Sequence, residues 1–174
     1  MVKMVKITEK GFTLLEALIA VAIMAIVVGA MATTTTTILL NHGQAAEQNA
    51  VLPQVQNAGH WISRDVQTAR NVTATAPNGF PLSLRVPIDT NQNNDYSVNY
   101  TFNGTRLKRK VYDSSQTLVS ETLIADYIDT GNTTFNTLNA TLKLYQLTVR
   151  AVKDKGGVTR IYEVSQRIAT GSGG

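Results

Sequence analysis

An α+β fold is predicted, in which a long N-terminal helix, transmembrane in its first half and amphipathic in its second, packs on an antiparallel β-sheet head. Three observations predict it. Residues 17–40 contain no charged side chain. Val51, Val55, Ala58, Ile62, Val66 and Ala69 recur at steps of four and three, one face of a helix. Beyond Ala76-Pro77-Asn78-Gly79, a turn cluster, the apolar period changes to two.

The first element follows from length and charge. At about 1.5 Å per residue, some 24 helical residues reach roughly 36 Å, enough to cross a hydrocarbon core of about 30 Å. Lys3, Lys6 and Lys10 precede the segment, so the positive-inside rule leaves the short N-terminus in the cytoplasm and sends the remainder outward. A secretory signal peptide cut after Ala30-Met31-Ala32, or a plain single-span anchor, fits the same hydropathy. Neither accounts for Glu16. A carboxylate inside an apolar span costs about 2.5–3.5 kcal/mol if central and less near the edge, so it calls for a cationic partner.

The run Lys10-Gly11-Phe12-Thr13-Leu14-Leu15-Glu16, followed by the apolar stretch, resembles the processing signal of the type IV pilin and pseudopilin family. The resemblance implies cleavage between Gly11 and Phe12 by a membrane-embedded prepilin peptidase and N-methylation of Phe12. It also implies that Glu16 pairs with the Phe12 amine of a neighbouring subunit and sets the register of packed helices. A contact between the Phe12 amine and Glu16 within one helix is not exclusive of this. Glycine at the cut presents no Cβ to a protease. Cutting there keeps the apolar segment on the mature chain and creates a cation one helical turn from Glu16. The expected divisions are a leader over 1–11, a transmembrane or filament-core helix over 12–40, its amphipathic continuation over 41–76, a sheet head over 77–170 and a flexible tail over 171–174.

Along the helix, Pro53 lacks an N–H and crowds the preceding turn, so a kink is expected there. Gly29 and the threonines at 33–37 are weak helix formers, which makes this stretch the expected place for local melting in an assembled filament. Trp61 is expected in the core or lining a groove.

In the head, Leu82, Leu84 and Val86 alternate with polar neighbours, and strands over 96–102 and 106–112 flank Asn103-Gly104, a hairpin signal. Strands are also expected over 117–124, 145–151 and 158–168, the last two joined at Lys155-Gly156-Gly157. The sum is one antiparallel sheet of about five or six strands. This layout, with Leu107-Lys108-Arg109 closing a hairpin, resembles J-type minor pseudopilins and W-type minor pilins, and so implies a minor filament component.

Composition excludes much chemistry. The chain has no cysteine, which removes thiol catalysis, iron–sulfur clusters and cysteine-ligated zinc, and His42 and His60 are its only histidines. No enzymatic activity is expected. The net charge is +4, but residues 1–11 hold three of the basic side chains and one acid, leaving +2 on the remainder, too little to imply a polyanion partner. Arg106, Lys108, Arg109 and Lys110 form a basic strip without interleaved aromatic platforms, so DNA is not an expected partner. Asp89, Asn91, Asn93 and Asp95 place oxygens at alternate positions, as calcium loops do, but with two carboxylates, no glycine at the sixth position and no glutamate at the twelfth; the alternative is a polar turn. No other cofactor is implied. The N-x-T triplets at Asn71, Asn99, Asn103, Asn132 and Asn139 follow from a composition rich in both residues.

Taken together, the resemblance implies a structural filament subunit, in a type II secretion pseudopilus or a type IV pilus. It would be held in the inner membrane with its head outside and then passed to an inner-membrane assembly platform. The alternative is a membrane-tethered, extracytoplasmic binding module that does not polymerise.

Overall fold

The computed structural model describes residues 13–87 and 95–167. The leader, the residues at the predicted cut and the 171–174 tail lie outside them. One helix, α1 (Leu14–Thr68), is followed by eight strands: β1 (Asn71–Ala74), β2 (Leu82–Val86), β3 (Tyr96–Asn103), β4 (Arg106–Tyr112), β5 (Leu118–Ala125), β6 (Thr134–Asn139), β7 (Leu144–Lys153) and β8 (Gly156–Ser165). The fold is α+β, consistent with the pilin fold. Contacts divide the chain into two compact units, residues 1–43 and 44–174.

In the first unit, residues 14–38 form a helical stretch long and apolar enough to cross a membrane. Leu14, Leu18, Val21, Met24, Ile26 and Met31 are all exposed, on every side of the helix. The threonine run is helical. Thr34, Thr35 and Thr36 each donate their hydroxyl to the carbonyl four residues back at 2.9 Å, and Thr37 does so at 3.0 Å. That back-bonding satisfies hydroxyls which water cannot reach in lipid. Pro53 lies inside α1, where residue 49 receives no N–H from it.

In the second unit, five of the six apolar positions read from the sequence form the buried face of α1, and Ala69 is buried just past its end. They join Leu82, Leu84, Val98, Tyr100 and Leu107 from one sheet and Leu147, Val149, Ala151 and Val164 from the other in a single core. There are two sheets where one was expected. The first is antiparallel in the order β1-β2-β3-β4-β5 and the second in the order β6-β7-β8, and Ile128, past the end of β5, forms an isolated bridge to Ala151 on β7. The helix stops at Thr68, where the apolar face read from the sequence ends at Ala69, whereas the 41–76 division runs past it into β1, which pairs with β2. β6 was not expected at all.

Both hairpins turn one residue away from the predicted place. Asn103 pairs with Arg106, so the β3–β4 turn is Gly104-Thr105, with Gly104 at φ 60° as the first central residue of a tight turn requires. Lys153 pairs with Gly156, so the β7–β8 turn is Asp154-Lys155, and Asp154 takes the left-handed region that aspartate tolerates. The turn over 76–79 ties the sheets together: Phe135 N–H donates to the Asn78 carbonyl at 2.9 Å, and Gly79 N–H to that of Thr75 at 2.8 Å.

Candidate functional site

Thr13 caps α1. Its hydroxyl accepts the Glu16 N–H at 3.3 Å, and its carbonyl accepts the N–H of Glu16 at 3.1 Å and of Ala17 at 3.2 Å. Thr13 and Glu16 therefore stand as N-cap and third helical residue, the spacing of a capping box. The reading of the sequence missed this role of Thr13, although Thr-x-x-Glu ahead of an apolar run is its recognised signature. Glu16 is exposed and is the acidic residue of the first helical turn. The helix dipole stabilises a carboxylate there by about 0.3–1 kcal/mol. That is less than the insertion cost of a charge deep in lipid, about 2.5–3.5 kcal/mol. Capping alone does not account for Glu16 if the turn enters the bilayer.

The predicted basic strip on β4 is not a cationic surface. Arg106 Nε lies 3.4 Å from Asp126 Oδ2, and Glu121 bridges Lys108, at 2.5 Å, and Lys110, at 3.6 Å. Arg109 points the other way, into the head. Its Nε donates to Asp65 Oδ2 at 2.6 Å, and Tyr100 donates its hydroxyl to the same oxygen at 2.7 Å. Its guanidinium lies 5.2 Å from the centre of the Trp61 ring, and that of Arg64 lies 5.8 Å from it. Burial, reinforced by the charge of Asp65, pushes the Tyr100 phenol far up. Partial burial disfavours the Arg109 charge, but the bond to Asp65 and its charge win and raise its pKa. Trp61 is half-buried against the core, where it lines the ion-pair site.

Of the calcium candidates, Asp89, Asn91 and Asn93 lie outside the described residues. Asp95 is described, with a side chain only 2% exposed and Oδ1 3.3 Å from Arg70 Nε. A guanidinium so placed repels a divalent cation at that carboxylate. Among the described residues there is no group of three metal-ligating side chains.

The capped first turn, its exposed acid and the apolar stretch over residues 14–38 lie together at the start of the described chain. Residues 7–32 match the prokaryotic N-terminal methylation motif, which is characteristic of type IV pilins and pseudopilins. That family is structural rather than enzymatic. No curated protein matches the chain, and no solved structure does.

Proposed function

We propose that the chain is the precursor of a structural subunit, a minor one, of a type IV pilus-like filament. Prepilin peptidase cuts it between Gly11 and Phe12 and Phe12 is N-methylated. The helix over 12–40 holds the mature subunit in the inner membrane with its head outside the cytoplasm. An assembly platform then transfers it into a periplasmic or cell-surface filament, where its apolar helix exchanges lipid for sister helices. Glu16 pairs there with the Phe12 amine of a neighbour.

The observation that carries this reading is the single carboxylate in the first turn of a helix whose other exposed side chains, from Leu14 to Met31, are apolar or small. In low dielectric such a charge is stable only when paired. The head supports the reading by what its charges do: the basic strip is spent on ion pairs and on Asp65, which disfavours a polyanion partner.

Intact mass of the mature protein tests it. A start at methylated Phe12 is expected; a start at Met1, or at Thr33, would refute it and favour the tethered module.

A further inference from the structure

The polar side of α1 beside β8 borders a cleft of about 470 Å³, lined by Gln56, His60, Ser63, Arg64, Gln67 and Tyr162. Tyr162 fixes its wall. The ring lies so close over Gly59 that a Cβ there would strike it, and its hydroxyl donates to the Val55 carbonyl at 3.3 Å. Gln56 and His60 also line a second hollow with Pro53, so the groove continues along α1. From Pro53 to Gln67 it follows roughly 21 Å of helix, the reach of about six extended residues.

The charges at this groove are of one sign and unspent. Arg70, Arg106, Lys108, Arg109, Lys110 and Arg150 each meet a carboxylate elsewhere on the head. Among the described residues Arg64 and Arg160 meet none, and Arg64 rests only against the Trp61 ring. Arg160 and Tyr162 pair with buried Val149 and Leu147, so both lie on the face of β8 turned toward α1. Burial raises the pKa of the Tyr162 phenol, and the nearby Arg160 charge acts against that rise. Glu163 lies on the other face, opposite Gln146. No acid lines the groove among the described residues. Its uncharged polar groups are idle too. The Ser63 hydroxyl is buried without a hydrogen-bond partner, and the side-chain amides of Gln56 and Gln67 have none among the described residues.

We propose that this groove binds an extended acidic segment of a partner protein, with a carboxylate held by Arg64 and Arg160 and peptide groups against Gln56 and Gln67. The sign of the ligand follows from two guanidiniums with no counter-charge, which bind carboxylates through charge-assisted hydrogen bonds. Its class follows from the length of the groove and its free amides, since a small anion would engage the arginine end alone. The site belongs to the head, so it does not depend on whether the chain polymerises.

Isothermal titration of the full-length protein in neutral detergent tests this. The probe is a capped peptide of about six residues with a central pair of glutamates, and its control carries glutamines instead. Saturable binding is expected for the acidic peptide and none for the control. Arg64→Gln and Arg160→Gln, both at exposed positions, should each weaken it about tenfold, the worth of one charge-assisted bond. Lys155→Gln, which removes a cation outside the groove, should leave the affinity unchanged. No binding, equal binding of the control, or arginine variants that bind like the parent would overturn the proposal. An equal loss in Lys155→Gln would reduce the effect to net charge and overturn it as well. Inorganic phosphate that displaces the peptide at equal concentration would also overturn it, in favour of a general oxyanion site.

Discussion

Asp65 is the residue on which the most depends. It accepts from Tyr100 on β3 and Arg109 on β4 while belonging to α1, so one oxygen pins two strands to the helix. Removing its charge strands a partly buried guanidinium, and breaking such a pair costs about 2–4 kcal/mol. Asp65→Asn should lower the unfolding midpoint accordingly in urea titrations followed by the fluorescence of Trp61, the chain's one tryptophan. Tyr100 gives a second outcome. Below its ordinary value of 10.0 the phenol is protonated in both folded and unfolded chains, and stability does not depend on it. Above that, the unfolded chain releases a proton that the folded chain keeps. Stability then falls by up to about 1.4 kcal/mol per pH unit for each such tyrosine. Burial raises Tyr145 and Tyr162 in the same sense, so Tyr100→Phe should make the alkaline decline shallower without removing it. None of this was legible in the sequence. Arg109 sits between two lysines and reads as part of a solvated strip; only the alternation of a strand, combined with an acid 44 residues away, turns it inward.

The elements that bury a repeating set of side chains were the plainest to read, and the two strands that were missed bury almost nothing. The buried face of α1 and the alternation in β2 and β7 were plain because each places several apolar residues in the core. β1 buries none of its four residues, and β6 buries only Phe135 before an irregularity near Leu138 breaks its period. Such strands exist because a neighbour supplies the ladder, which composition does not reveal. The glycines of two turns allow a test of context. A Cβ at Gly79, where φ is 83°, would run into the Phe135 backbone, whereas one at Gly104, where φ is 60°, would meet nothing within 4 Å. Gly104→Ala should cost about 1–2 kcal/mol from backbone conformation alone. Gly79→Ala adds the clash and should cost about 2–5 kcal/mol, measured by the same titration.

For the molecule as a whole, the methylation motif over residues 7–32 and the membrane-length helix were legible, and the arrangement of the head was less so. A short linear motif and a continuous apolar run are local features, so neither depends on how distant residues pair. The head is fixed by pairings between distant residues, which is why one sheet was expected and two are present. At this scale the decisive variant is Glu16→Ala. It keeps the cut residues and the apolar span, so the mature mass should still show methylated Phe12, while the subunit should be depleted from sheared filaments relative to the membrane fraction. Normal incorporation would refute the role given to Glu16. The head's attachments to α1 carry one more consequence. Beginning at Glu47 with the Lys155 N–H, they continue through Gln54, Asn57 and Asp65 to the Ala69 carbonyl and Gln166, over roughly 33 Å of helix. A pull along the helix axis loads these fasteners together in shear instead of peeling them one at a time, so the head resists extraction with the strength of many weak joints acting at once.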